Sequence, residues 1–295
     1  MKKRTDPLFT QFYSNVRVAD FILSFSFFLF GSIYCDYVGI PINVTRLCWG
    51  LLVILFLLVS MEFLNLFFRE ERDFEDALLQ RFGAFDYRMI FFLLAVACIL
   101  VAAVICVFQI RTATALIIAA LMLMVVMLYI AKPFRLIYSG YGEVIHAFLI
   151  TFLIPAFGYS IQAKGGLHIT LAYLCIPFFV LVLAHQFIAE NRSLARDIKQ
   201  YHTTAVMRFG SVLTLRFAMY LIAFSFIFIL LLGVGTLPWR FIVRWYVGIP
   251  LAIYLLWNVN KVLSGEKPAW QLISFLSYSL ILLNLMLILF SFILV

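Results

Sequence analysis

Nine long apolar runs, joined by short polar segments, constrain this chain more than any other feature of its sequence. Each run is close to the roughly 20 residues that a helix needs to cross the hydrocarbon core of a bilayer. Because the runs are continuous rather than alternating, they predict helices and not the strands of a membrane barrel. The predicted spans are residues 18–38, 46–68, 89–109, 113–131, 143–162, 168–190, 212–234, 239–258 and 271–294.

The composition is that of a protein solvated by lipid. Of the 295 residues, 65% are hydrophobic and 12% are charged, whereas soluble domains average about 45–50% apolar and about 25% charged residues. We therefore predict one membrane domain over residues 1–295, with no room for a soluble catalytic domain. The run after the polar segment 1–17 is too long and too aromatic for a cleaved signal peptide, so it is interpreted as the first span.

The distribution of basic residues predicts the orientation. Nine spans place the termini on opposite sides, and 17 of the 22 Lys and Arg residues then fall on the N-terminal side. Cytoplasmic loops carry such an excess. The N-terminus is therefore predicted to be cytoplasmic and the C-terminus to lie on the opposite side, in the inner membrane if the chain is bacterial. Because the basic residues lie in loops between spans, the net charge of +8 indicates topology, and the expected partner is the bilayer and not nucleic acid.

Two predicted cytoplasmic loops are longer and more charged than the others. Residues 69–88 follow the second span and residues 191–211 follow the sixth, and each segment contains Arg-Phe-Gly, at 81–83 and 208–210. The pattern indicates a weak internal repeat. Two similar halves would enclose a central cavity, with the site near the two matching cap loops.

Ionisable residues inside the spans are functional candidates, because an unpaired charge at the bilayer centre costs about 2.5–3.5 kcal/mol or more. Glu62 lies near the end of the second span and Glu190 at the end of the sixth. Helical spacing aligns Glu62 with Arg69, and Glu190 with Ser193 and Asp197. These columns predict either an anion site or an ion-pair cluster that only holds the helices together.

The histidines and cysteines in the spans are interpreted as structural. His146 and His185 are expected to be buried and bonded to a neighbouring backbone or hydroxyl group. The five cysteines have neither C-x-x-C nor metal-site spacing, so they are taken as small apolar residues.

Several motifs together carry a family resemblance. The most specific is Tyr138-Ser139-Gly140-Tyr141-Gly142-Glu143, which looks like a Y-x-G-x-G-E/D segment and is followed by Pro155, Gly158, Tyr159 and Gln162. Two aspartate-rich motifs are matched in part, by Asn65 in the first and by Arg192, Asp197, Thr204, Arg208 and Gly210 in the second. On these residues the chain resembles the UbiA superfamily of intramembrane aromatic prenyltransferases, especially the branch that prenylates dihydroxynaphthoate in menaquinone synthesis.

The resemblance implies an all-α bundle of nine transmembrane helices that transfers an isoprenyl group from a diphosphate to a lipid-soluble, aromatic acceptor. In the family, Mg²⁺ on the motif aspartates bridges the diphosphate. The resulting catalytic candidates are Glu62, Glu190 and Asp197. The candidates for substrate binding are Asn65, Arg69, Arg72, Tyr138, Arg192, Ser193 and Lys199. The candidates for metal binding are Asp73, Asp76 and Asp197.

The chain departs from the family at the aspartates themselves. The two aspartate positions of the first motif carry Leu66 and Arg69, and the first position of the second motif carries Ser193. The usual two-motif Mg²⁺ site cannot form with these side chains. Glu62 and Glu190 lie about one helical turn, roughly 5 Å, before the lost aspartates. This suggests that they face each other across the cavity, as a displaced metal site or as an acid–base pair.

Four functions therefore remain open. They are a divergent prenyltransferase, a cyclase-like isoprenoid enzyme in which a buried carboxylic acid protonates a polyene, a non-catalytic protein that binds an isoprenoid or quinone lipid or assists a partner enzyme, and a small transporter. The transporter is the least favoured, because its polar site should lie near the bilayer midplane. The divergent prenyltransferase, with an isoprenyl diphosphate as its ligand, is favoured.

Overall fold

The computed structural model of the chain describes residues 18–68, 84–163, 166–199, 203–235 and 238–293, with side chains except at 84–87, 195–197, 199 and 293. These residues are helical almost throughout. No strand occurs among them, and Ser139 and Thr203 form an isolated backbone bridge. The predicted all-α fold is confirmed.

Within the described residues, eight helices are long and apolar enough to cross a membrane. A ninth crossing exists if two shorter helices, whose axes differ by 42°, form one bent span, which agrees with the predicted nine. In chain order the helices are α1 Val18–Tyr37, α2 Val44–Phe68, α3 Ala84–Ile105 with a wider turn Cys106–Ile110, α4 Ala113–Ile130, α5 Gly142–Ala163, α6 Ile169–Lys199, α7 Ser211–Gly235, the bent pair α8 Trp239–Tyr246 and α9 Ile249–Leu263, and α10 Trp270–Ile293.

The same helix pairing occurs in both halves of the chain. α2 packs along α3, and α6 packs along α7, so each pair flanks one of the two segments predicted as cap loops. α10 packs against both α1 and α6. The 31 residues of α6 rise about 46 Å at 1.5 Å per residue, which exceeds the roughly 30 Å hydrocarbon core. The second cap segment, predicted from residue 191, therefore begins as a helix.

α1 and α5 approach each other closely enough for their backbones to touch. A methyl group built on Gly31 would lie 1.9 Å from the carbonyl oxygen of Pro155, and one on Gly158 would lie 2.4 Å from that of Phe28. The hydroxyl of Ser32 donates to the carbonyl of Gly158 at 3.1 Å. Small residues permit such contacts in membranes, where dispersion and interhelical hydrogen bonds hold helices together.

A π-helical turn divides α5 into two parts. The turn covers Leu149–Leu153 and comes just before Pro155. Proline lacks an N–H, and its ring crowds the carbonyl four residues earlier, so a wider turn at this place relieves the crowding. The part after the turn packs against α1 through Gly158, while the part before it, Gly142–Phe148, carries polar side chains.

Substituting Gly31 with Ala should destabilise the bundle, because the new methyl group meets a backbone oxygen that cannot rotate away. Overpacking of this kind typically costs about 1–3 kcal/mol. Gly235→Ala is the control, since a methyl group there meets nothing within 4 Å. Thermal unfolding in detergent should show a lower midpoint for Gly31→Ala only. Equal midpoints for the two variants would contradict the close approach.

Candidate functional site

A polar pocket lies at one end of the bundle, where α1 and α5 begin and α2 and α4 end. It is small, with a cavity volume of about 30 Å³, and it is partly open at its mouth. Side chains from these four helices and from the turn after α4 meet there. The residues that line it are Asp20, Met61, Glu62, Asn65, Tyr129, Ile130, Ile137 and His146.

His146 is almost fully buried and is held from three sides. Its Nε2 atom lies 3.7 Å from Oδ2 of Asp20, and its Nδ1 atom lies 2.7 Å from Nε2 of Gln186 on α6. Its ring stacks on that of Tyr129, with centroids 5.6 Å apart. Because an amide nitrogen donates, Nδ1 accepts and the ring hydrogen lies on Nε2, towards Asp20. One imidazole therefore links α1, α4, α5 and α6.

Glu62 and Asn65 bring α2 into the same pocket. They are three residues apart, so they lie on one face of the helix, and both are half-buried. The pocket thus combines two carboxylates with amide, phenol and imidazole groups. Such a set can hydrogen-bond to hydroxyl groups on a ligand, and a carboxylate within reach can accept a proton from it.

The second predicted motif lies at the end of α6 and is used partly for packing. The amide nitrogen of buried Asn191 donates to the carbonyl of Phe187 at 2.8 Å and to the hydroxyl of Thr214 at 3.2 Å. Its amide oxygen accepts from Ser211 at 2.5 Å. These bonds fasten α6 to α7. Glu190 is half-buried and is not among the described residues that line the pocket with Glu62, so the facing pair remains a prediction.

The other site candidates are distributed as follows. Arg192 is exposed, and the hydroxyl of Ser193 donates to the carbonyl of Glu190 at 3.2 Å. The ring of Tyr138 lies under the guanidinium of Arg135, 4.5 Å from its centroid. Asp197 and Lys199 lie on α6, but their side chains are outside the description, as are residues Arg69, Arg72, Asp73 and Asp76 altogether.

The described donor atoms do not form a metal site of the family type. Among the described residues, no group of three or more His, Cys, Asp or Glu side chains is arranged to hold a metal ion. Leu66, at the first lost aspartate, is buried in the bundle. The described parts of the two motifs therefore do not fit Mg²⁺, and the set Asp73, Asp76 and Asp197 stays a prediction.

The Tyr138–Glu143 motif joins the turn after α4 to the segment after α6. Ser139 forms the bridge with Thr203, and the guanidinium of Arg208 lies 4.9 Å from the ring centroid of Tyr141. A carboxylate oxygen of Glu143, which is 4% exposed, accepts from the backbone N–H of Ala205 at 3.2 Å. The motif is therefore structural at this position, and Glu143 caps the short helix Ala205–Phe209.

Glycine is required in this motif for a geometric reason. Gly140 has a φ of +76°, in the left-handed region that disfavours other residues, and a methyl group there would lie 2.8 Å from Cδ of Arg208. A methyl group on Gly142 would lie 2.8 Å from the carbonyl oxygen of Leu136. Both glycines therefore let the turn fold tightly against its neighbours.

Sequence reasoning predicted the surroundings of His185 correctly but missed the contact between His146 and Asp20 in the pocket. His185 was expected to bond to a hydroxyl group, and its Nδ1 lies 2.7 Å from Oγ of Ser277, which confirms that interpretation. His146 is buried as predicted, but it contacts the side-chain amide of Gln186 and the carboxylate of Asp20, which that interpretation did not include. Asp20 lies inside the first predicted span, 18–38, but was not among the site candidates. An acidic residue within the first turn of an apolar helix was the available signal.

The comparisons with known proteins agree with this geometry at the level of the fold. The sequence matches no protein-family model, and no curated protein matches it. A solved structure of digeranylgeranylglyceryl phosphate synthase matches with a TM-score of 0.65 and 16% identity, over 96% of this chain and 95% of that chain. The chain therefore shares the fold of that membrane protein. This supports the predicted all-α bundle of transmembrane helices, while the predicted superfamily and its menaquinone branch stay predictions.

Substituting Glu143 with Ala should lower stability, because the buried N–H of Ala205 loses its acceptor. Leaving a buried donor unpaired costs about 1–3 kcal/mol. Glu143→Gln retains an oxygen acceptor and should be milder. Glu266→Ala is the control, since that carboxylate forms an exposed pair with Lys261 at 3.8 Å and such pairs contribute little. Equal thermal midpoints for Glu143→Ala and Glu266→Ala would refute the capping role.

Proposed function

We propose that this protein is a divergent UbiA-type prenyltransferase, which transfers an isoprenyl group from an isoprenyl diphosphate to a lipid-soluble aromatic acceptor within the membrane. The observation that carries this proposal is the position of the polar pocket. Glu62 and Asn65 line it near the end of α2, where the first aspartate-rich motif of the family begins. The fold shared with a prenyltransferase over nearly the whole chain supports the same function.

The proposed diphosphate site consists of basic residues near the ends of α2 and α6. Arg69 and Arg72 follow α2 in the sequence, while Arg192 and Lys199 belong to the last turns of α6. Guanidinium and ammonium groups bind phosphate oxygens and stabilise the charge that develops on a departing diphosphate. If Asp73, Asp76 and Asp197 also hold Mg²⁺, diphosphate binding should fall when EDTA is added.

The pocket is proposed to hold the polar end of the acceptor. Its carboxylates, Asp20 and Glu62, and its amide and phenol groups suit hydroxyl groups on an acceptor, because each can form a hydrogen bond with a hydroxyl. The apolar side chains Met61, Ile130 and Ile137 on the same walls suit its hydrocarbon part. Small-molecule sites commonly combine an apolar lining with a few polar groups in this way.

One observation favours a second candidate function. Leu66 occupies an aspartate position of the family and is only 5% exposed, so this position now serves packing. A protein that binds an isoprenoid or quinone lipid without transferring it has no need of the lost ligand. The cyclase-like reaction would instead use a pocket carboxylic acid to protonate a polyene.

A transfer assay tests the proposed function. Membrane vesicles that contain the protein should convert radiolabelled geranylgeranyl diphosphate into a labelled lipid and release diphosphate. Glu62→Gln should slow this transfer about 10²–10³-fold, as expected for a polar group that acts on the reacting molecules. Glu266→Gln, which changes an exposed carboxylate, should transfer the label at the same rate as the unaltered protein.

The alternatives give different results in the same assay. Binding of geranylgeranyl diphosphate without a labelled lipid would favour the non-catalytic function. Loss of the diphosphate with a rearranged hydrocarbon as product would favour a cyclase-like reaction. Absence of both binding and transfer would reject the prenyltransferase proposal.

A further inference from the structure

We propose that Asp20 accepts the proton that the acceptor loses during prenyl transfer, and that His146, held by Gln186 and Tyr129, positions Asp20 for this step. This inference rests on the proposed function and assigns a role to a residue outside both aspartate-rich motifs. It makes Asp20 a catalytic residue of the pocket and His146 a positioning residue.

The first support is the placement of Asp20. Its side chain lines the pocket and is 16% exposed, whereas that of its partner His146 is 4% exposed. The carboxylate is therefore the member of the pair that a ligand can reach. Asp20 lies in the first turn of α1, and the partial positive charge at the start of a helix favours a carboxylate there.

The second support is the way in which His146 is fixed. Gln186 donates to Nδ1 at 2.7 Å, which places the ring hydrogen on Nε2. The Nε2 atom that carries this hydrogen lies 3.7 Å from Oδ2 of Asp20, within ion-pair distance but beyond a hydrogen bond. Stacking on Tyr129, with centroids 5.6 Å apart, restricts rotation of the ring. A histidine whose second nitrogen is bonded has a defined tautomer and orientation. His146 therefore presents a donor, not a second base, to the carboxylate.

The third support is that the backbone around Asp20 is anchored. The hydroxyl of Tyr278 on α10 donates to the carbonyl of the adjacent Ala19 at 3.0 Å. α1, α4, α5, α6 and α10 thus all contribute to the position of one carboxylate. A packing role alone would not require the carboxylate of Asp20 to face a cavity.

The chemistry balances with the groups present. The C–O bond between the isoprenyl C1 and the diphosphate breaks, and its electron pair leaves with the diphosphate. A nucleophilic atom of the acceptor, a ring carbon or a hydroxyl oxygen, forms the new bond to C1. The same atom then carries a surplus proton, which passes to the carboxylate of Asp20. The resulting carboxylic acid returns the proton to water through the open mouth of the pocket.

Kinetics of four variants test this assignment with geranylgeranyl diphosphate and a lipid extract of the host membranes. Removal of a general base typically costs about 10²–10⁴-fold in rate, so Asp20→Asn should lose transfer on that scale while its affinity for geranylgeranyl diphosphate stays unchanged. His146→Ala should lose less, and His146→Gln, which keeps a donor N–H, should recover part of that loss. His185→Gln is the control, because it changes a buried histidine bonded to Ser277.

A deuterium effect separates a proton-transfer role from a structural one. With a lipid extract from host cells grown in deuterated medium and assayed in D₂O, Asp20→Asn should show a slower rate than with the ordinary extract in water, because proton loss has become rate-limiting. The unaltered protein should show a smaller effect. Thermal midpoints in detergent confirm that the variants are folded.

Two failures are distinguishable. If the unaltered protein transfers the label and Asp20→Asn transfers it equally well, this inference is wrong and the proposed function stands. The same conclusion holds if Asp20→Asn is slow only because it no longer binds geranylgeranyl diphosphate. If the unaltered protein forms no labelled lipid, the proposed function fails, and the role of Asp20 fails with it.

Discussion

A polar side chain inside an apolar helix bundle must find its hydrogen-bond partner within the protein, because lipid offers none. Short side chains such as Ser60 and Ser225 bond to the backbone of their own helix, whereas several longer ones reach a neighbouring helix. Asn191 fastens α6 to α7, and His185 reaches α10 through Ser277. Gln162 exchanges two hydrogen bonds with the backbone of Asn43 at the end of the bundle away from the pocket. Each contact fixes the rotation of a helix that hydrophobic packing alone would leave free.

The pocket is where this requirement is met by several helices at once. Asp20, His146 and Gln186 form a row across α1, α5 and α6, and Glu62 and Asn65 line the same cavity from α2. These pocket side chains surround a cavity, so a ligand can compete for their hydrogen bonds. The hydrogen bonds of Asn191 with Thr214 and Ser211 lie instead between packed helices.

Much of the fold follows from the sequence, because the length of an apolar run is set by the bilayer. Eight of the nine predicted spans appear as single helices. The remaining one, 239–258, is bent between Tyr246 and Ile249, next to Gly248 and Pro250. The site was less predictable. Glu62 is recognisable as a charge within a span, but the partnership of Asp20 and His146 depends on residues far apart in the chain that only the tertiary fold brings together. The motif Tyr138–Glu143 was recognised by its pattern, whereas its capping of Ala205 requires knowledge of the segment after α6.

The bridge between Ser139 and Thr203 has a consequence for communication within the molecule. Ile137, two residues before the bridge, is part of the pocket wall, and the segment after α6 is attached to that wall through Thr203 and Ala205. The pocket wall at Ile137 and the segment after α6 are therefore mechanically joined. A displacement of Thr203 or Ala205 would be transmitted to the wall of the cavity beside α2 through a short stretch of backbone.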